Sequence, residues 1–374
     1  MSAQTNNVLA ILILVVGLAV LVTSALFDNF ACALIGGAAC TAAIGLYVPA
    51  IATPSLMTVS MLVALAIAEV GLFWMAGDVA DSGLVRDYSP GYASITGLGQ
   101  SPNPGHHQVR MTDENGQVVY DVTYSIGQDG FRVTPGTSED GGRVNFYGCS
   151  ILYGEGVKDD ETLPYFVSTA TSDAGQRVAV KNFAASGFGV HQAVKILRVG
   201  EARQGDVNVL LTVPWHASRS ACIHDWTVGA PRFQRSAGGE LEEAGVCPAR
   251  APPLPLDIPV LRHSKIYQTV ANALATDRPI MDEDIELYLA LVSEMSQLSK
   301  ARGQWFVVGF LPADERYFAD TQYSNERIRQ SLVKQADAVI DLGLEGAEAA
   351  PSTQYPLHEL DGHPNRLANQ VRAT

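Results

Sequence analysis

Residues 144–157 read VNFYGCSILYGEGV. An apolar run stops at Gly148, a serine follows at position 150, and Gly154 and Gly156 punctuate what comes after. A short apolar run bounded by glycine reads as a buried strand, and the turn beyond it as the entry to a helix. The same sequence of events recurs downstream. VAVKNFA, DVNVLLTV, QWFVVGF and AVIDL are further strand-like runs, and TLPYFVSTATSDA, VHQAVKILRVGEA, DEDIELYLALVSEMSQLSKA and NERIRQSLVKQADA are the amphipathic stretches between them. Five strands alternating with helices predict an α/β domain, a doubly wound parallel sheet with helices on both faces. Ligands of such sheets bind beyond the carboxyl ends of the strands, so the loops after each strand are where chemistry is expected.

Ser150 falls at that edge, just past the first strand. Its surroundings are not the Gly-x-Ser-x-Gly elbow of α/β-hydrolases, because position 152 is Leu. A serine nucleophile needs a base, and the base needs an orienting acid. After the fifth strand stands HELDGHPNRLAN, where Asp361 and His363 are two apart, so one loop can present both at the edge that carries Ser150. His358 and His363 are five apart and fall on different helix faces, unlike the pair in a zinc-binding helix. His106-His107, in a polar loop, has no third ligand nearby, and no metal or other cofactor is expected. After the second strand, NFAASGFGVHQ carries Gly187 and Gly189, whose backbone can approach a ligand closely and offer an N–H to a developing oxyanion. The same glycines serve equally to end a strand and begin a helix.

GCSILYGEGVKDDETLPYFV resembles the first conserved block of the SGNH hydrolases, also called the GDSL family. NFAASGFGVHQ is similar to their second block, and DGHPNRLAN to their last, over roughly residues 143–374. The resemblance implies a flavodoxin-like five-stranded fold with Ser150 as nucleophile, His363 as general base and Asp361 as its partner. It also implies an oxyanion hole made by the Ser150 and Gly187 N–H groups. Two positions depart from the family pattern. Cys149 replaces the usual Asp before the serine, and the third block, LTVPWHASRS here, lacks the Asn that is the family's third oxyanion donor. His216 stands nearest to that position and is the expected substitute, with Arg219 as an anion contact.

The chain has 374 residues and a formal net charge of −14. Residues 1–85 contain no Lys or Arg and only four acids, Asp28, Glu69, Asp78 and Asp81. Three stretches there, Val8–Phe27, Phe30–Ala52 and Pro54–Met75, are long enough to cross a hydrocarbon core, which takes roughly 20 apolar residues as helix. Asp28-Asn29 and the pair Pro49 and Pro54 mark the joins. The first stretch lacks a basic leader and a small-residue cleavage site, so a multi-pass membrane region over 1–78 is expected rather than a signal peptide. Glu69 lies inside the third span, where an acid is a candidate for function or for a helix contact. The acidic remainder excludes nucleic acid as a partner, since phosphate binding needs clustered cations.

Residues 79–142 read as a small β-rich element, with a hairpin turning at Glu114-Asn115-Gly116. The hydrolase-like domain is expected over 143–374, with an insertion at about 218–263 that can act as a lid. That insertion holds Cys222, Cys247, APPLPLDIP and the pair His224-Asp225, which follows no predicted strand end. A Cys222–Cys247 disulfide would place the domain in an oxidising compartment. The combined expectation is a membrane-anchored serine esterase acting on acylated carbohydrate or lipid, seated in a bacterial inner membrane with its domain facing outward. An O-acyltransferase using the same three side chains, or a module that kept the fold for binding, are the alternatives.

Overall fold

Chain contacts divide the molecule into two compact units, Met1–Val79 with Arg250–Thr276, and Ala80–Ala249 with Asp277–Thr374. The computed structural model describes the chain outside residues 1–2, 27–29, 76–83, 89, 96, 138–140, 201–204, 237, 250–263, 265, 268–269, 271–277 and 345–353. Asp28-Asn29, Asp78, Asp81 and APPLPLDIP therefore lie outside the described residues.

The first unit is built on helices α1 (Ala3–Leu26), α2 (Phe30–Tyr47) and α3 (Ala52–Met75). None carries a polar face, and Ile11, Leu12, Met57 and Ile67 are left exposed. Helices apolar on every side occur in the core of a large protein or as membrane spans. Among the described residues, the window Ala52–Gly71 is long and apolar enough to cross a membrane, with a mean hydropathy of 1.7, and Leu9–Leu21 and Ala31–Tyr47 are shorter apolar helical stretches. Glu69 in α3 is buried, and its carboxylate accepts hydrogen bonds from Ser264 Oγ and Ile266 N, both at 3.0 Å.

The second unit opens with β1 (Leu84–Tyr88), β2 (Tyr92–Ile95), β3 (Gly99–Pro102), β4 (Gly105–Asp113) and β5 (Val118–Ile126). Strands β1, β4 and β5 form an antiparallel sheet, and β2 pairs with β3. The β4–β5 hairpin turns where Asn115-Gly116 predicts, with Asp113 Oδ1 accepting from the N–H groups of Asn115 and Gln117. Tyr120, Tyr124 and Ile126 of β5 share one hydrophobic core with Phe146, Leu152, Tyr153 and Val180 from the segment that follows.

That segment supplies β6 (Gly142–Tyr147), α4 (Ser150–Tyr153), α5 (Leu163–Asp173), β7 (Val178–Asn182), α6 (Val190–Val199), β8 (Val207–Thr212) and α7 (His216–Ser220). The hairpin β9 (Pro231–Arg235) and β10 (Leu241–Val246) comes next, then α8 (Asp282–Ala301), β11 (Trp305–Phe310), α9 (Asn325–Val333) and β12 (Ala338–Asp341). The short strands β13 (Pro356–His358) and β14 (Asp361–Pro364) and helix α10 (Arg366–Arg372) close the chain.

The five expected strands form one parallel sheet in the order β7-β6-β8-β11-β12. Numbered along the chain this is 2-1-3-4-5, the flavodoxin-like order. Side chains alternate across each strand, so Leu210 enters one core and Leu211 the other. Helices α6, α8 and α9 cover one face through Val194, Tyr288, Met295 and Ile328, while α4, α5 and the β5 side chains cover the opposite face. The order reverses between β6 and β8, which puts the loop after β6 at the crevice where this architecture binds ligands.

The insertion is shared between the units. Its part before Arg250 forms α7, a turn at Asp225–Thr227 and the β9–β10 hairpin, closed by a Cys222–Cys247 disulfide with a Cα separation of 5.4 Å.

Candidate active site

Strand β6 delivers the chain to Cys149, an extended residue with a buried side chain that precedes the single helical turn α4. Ser150 is the first residue of that turn. The opening N–H groups of a helix have no partner within it, and the Ser150 N–H donates to no acceptor among the described residues. The turn closes on itself through Gly154 N and Glu155 N, which donate to Ser150 O at 3.0 and 3.1 Å. Gly156 then takes φ +79°, donates to Tyr124 Oη at 2.6 Å, and lies so close to Leu357 that a Cβ would sit 2.1 Å from its Cδ1. The positive φ favours glycine there, which accounts for the second glycine of GEG.

His363 Nε2 lies 2.9 Å from Ser150 Oγ, and His363 Nδ1 lies 2.5 Å from Asp361 Oδ1. The two-residue spacing works because Asp361 and His363 flank Gly362 on β14, and Asp361 Oδ1 also accepts the His363 backbone N–H at 3.0 Å. Burial opposes the charged form of both groups. For His363 the hydrogen bond to Asp361 and the negative fields of Glu155 and Asp361 outweigh burial, and the imidazole titrates above its ordinary 6.5. For Asp361 the hydrogen bonds from His363 likewise prevail, holding the carboxyl below its ordinary 3.8. An ionised Asp361 fixes the proton on Nδ1 and leaves Nε2 free to accept from Ser150. A hydroxyl, an imidazole and a carboxylate in this arrangement can generate an alkoxide equivalent and return its proton to a leaving group.

A second carboxylate borders this array, and sequence reasoning missed it. Glu155 is buried, and its two oxygens accept from Arg86 Nη2 of β1 and, at 2.6 Å, from Ser186 Oγ of the loop after β7. One side chain thus ties the nucleophile turn to the loop that carries Gly187. Behind it, Arg132 is fully buried and holds the same turn. It donates to Asp159 Oδ1 at 2.9 Å, to the carbonyls of Tyr153 at 3.0 Å and Val157 at 2.6 Å, and to the Gly154 carbonyl. Its guanidinium also stacks over Tyr124, 4.0 Å from the ring centroid. The available signal was an acid between two glycines, GEG, in a turn otherwise apolar enough to be buried.

Gly187 takes φ +83°, and its N–H makes no hydrogen bond among the described residues. Two N–H groups, of Ser150 and Gly187, are therefore free to donate to a developing oxyanion. Gly189 instead caps α6, its N–H donating to Gln192 Oε1 at 2.8 Å. The expectation for His216 needs correction. Its side chain has no exposed surface, its Nδ1 lies 3.2 Å from Thr212 Oγ1, and burial first and the Arg219 charge second push its pKa well below 6.5. A ring sealed into the core at the start of α7 cannot touch a substrate oxygen. Arg219 Nη1 donates to Phe188 O at 2.7 Å and steadies the Gly187 loop. His224 stands by Ser218 Oγ at 2.8 Å and stacks on Trp226. Among the described residues no cluster of His, Cys, Asp and Glu suits a metal ion.

Fold and site together define an α/β protein of flavodoxin-like strand order with a Ser–His–Asp array at the carboxyl edge of its sheet. No protein-family model and no curated protein matches the chain. Solved structures do. TesA is 14% identical, with 62% of this chain and 93% of TesA covered, at a TM-score of 0.34. A member of the lipolytic protein G-D-S-L family from Veillonella parvula is 11% identical over 62% of this chain and 93% of that one, at 0.35. AlinE4, an SGNH-hydrolase family esterase, is 12% identical over 57% and 83%, at 0.33. Scores of this size record a partial likeness only, and the fold assignment rests on the strand order of the chain itself.

Proposed function

We propose that the protein is a membrane-anchored serine esterase that cleaves O-acyl esters, on an envelope glycan or lipid, through an acyl-enzyme on Ser150. The observation that carries this reading is the continuous hydrogen-bonded array Ser150 Oγ–His363 Nε2 and His363 Nδ1–Asp361 Oδ1. Ser150 Oγ attacks the ester carbonyl as His363 Nε2 takes its proton, and the tetrahedral oxyanion meets the N–H groups of Ser150 and Gly187. His363 then protonates the leaving alkoxide, leaving Ser150 acylated. A water, deprotonated by the same Nε2, attacks the acyl-enzyme and releases the acid with Ser150 restored. Asp361 keeps its charge throughout and stabilises the imidazolium that forms in each half-reaction.

Anchoring is supported by the apolar helices of the first unit, above all Ala52–Gly71. An outward-facing domain is supported by the Cys222–Cys247 disulfide, which persists only in an oxidising compartment. The test is hydrolysis of p-nitrophenyl acetate by the full chain in detergent. Turnover that is lost in Ser150→Ala supports the reading. Turnover unchanged in that variant contradicts it, and acyl groups appearing on an added glycan rather than as free acid would make the protein an acyltransferase.

A further inference from the structure

The insertion places an aromatic ring beside the oxyanion glycine. A Cβ built on Gly187 would stand 3.4 Å from Trp226 Cδ1, so the indole edge borders the residue whose N–H faces the reacting carbonyl. Trp226 is nevertheless 60% exposed, while most large aromatic side chains of this unit are buried. Its orientation is fixed from behind. The His224 ring stacks on the indole with centroids 4.0 Å apart and planes 7° from parallel. His224 is in turn held by Ser218 Oγ at 2.8 Å, and its carbonyl accepts from Thr227 N at 3.0 Å and Thr227 Oγ1 at 2.6 Å. The disulfide from Cys222 to Cys247 brackets the whole turn. A flat aromatic ring, backed on one side and open to solvent, thus stands at the rim of the site.

Polar side chains stand beside it. Ser186 adjoins Gly187 and donates to Glu155, which pairs with Arg86, and the half-open Tyr92 phenol lies against Ser186. An acyl chain needs continuous apolar walls, which these residues do not supply. A pyranose ring presents the opposite character, an apolar face of C–H groups with hydroxyls around its edge. The C–H face suits the negative π-face of an indole, and the hydroxyls suit charged and hydroxyl side chains nearby.

We propose that Trp226, held by His224, is a carbohydrate-binding platform: it takes one face of a pyranose ring while an ester on that ring or its neighbour reaches Ser150. This rests on the esterase reading and narrows its substrate class to O-acylated carbohydrate.

The test has two arms on the full chain in detergent. In the first, Ser150→Ala protein is titrated calorimetrically with O-acetylated chito-oligosaccharides and xylo-oligosaccharides. Adding Trp226→Ala is expected to weaken binding at least tenfold, and Trp226→Phe to recover most of the loss. Equal binding with and without the indole, or no binding of either sugar, overturns the platform. In the second, wild type and Trp226→Ala are compared on the acetylated oligosaccharide and on p-nitrophenyl decanoate. The expected result is a KM at least tenfold higher on the sugar with kcat within threefold. A larger KM rise on the decanoate would make the ring an acyl-chain wall and overturn the sugar assignment. Failure of wild type to hydrolyse p-nitrophenyl acetate strikes the esterase reading instead, and the binding arm then judges the platform by itself.

Discussion

Glu155 shows how a residue outside the Ser–His–Asp array governs it. Its negative field helps to lift His363 above 6.5, whereas the positive field of Arg86 works the other way. In Glu155→Gln the field is lost and Arg86 is left unpaired, so both changes push the imidazole down. Because His363 acts as a base, kcat/KM rises with pH through its pKa. The acid limb of the pH profile is therefore expected to move to lower pH in Glu155→Gln. Loss of the tie to Ser186 should also cost up to about 100-fold in rate, the scale of a small misplacement in a reacting array. An unmoved acid limb would remove Glu155 from this role. Asp361→Asn should cost about 10⁴-fold, because an amide stabilises the wrong His363 tautomer. Ser150 was legible because it follows the end of an apolar strand run, and Asp361 and His363 because they share one short run, DGHPN. Glu155 and Arg86 are 69 positions apart and meet only through the fold. His216 misled for a related reason: a place after a strand says nothing of whether the ring turns toward the crevice or, as here, into the core.

Among the elements, the nucleophile turn depends on a strut from outside its own strand and helix. The fully buried Arg132 pairs with the half-buried Asp159 and caps three carbonyls of residues 153–157, so removing it leaves that carboxylate without its cation and buried backbone acceptors unsatisfied. Breaking a buried pair of this kind costs about 3–5 kcal/mol. Arg132→Ala is expected to lose about that much stability of the second unit in urea unfolding, and Arg132→Lys to recover only part of it, because an ammonium cannot reach all the acceptors at once. A loss under 1 kcal/mol in the alanine variant would show that the turn is held elsewhere. The five sheet strands were readable from apolar runs broken at glycine, and the helices from their amphipathic period. The β1–β5 segment was readable as strands but not as a partner of the sheet, because the alternation of Tyr120, Tyr124 and Ile126 marks a buried face without naming what buries it.

For the molecule as a whole, the division of labour follows the change in composition at Arg86. The apolar helices of the first unit are expected to keep the protein in the membrane fraction through alkaline carbonate washing, and release by carbonate would contradict the anchor. Glu69 is engaged with Ser264 and Ile266, which gives that acid a structural partner in the segment that leaves the insertion. The central claim, a nucleophilic Ser150 activated by His363, is tested most directly by labelling intact cells with a membrane-impermeant fluorophosphonate and locating the adduct by mass spectrometry. The account predicts one adduct, on Ser150, absent in Ser150→Ala and slowed at least 100-fold in His363→Ala. An adduct on another serine, or equal labelling of the wild type and His363→Ala, would contradict it.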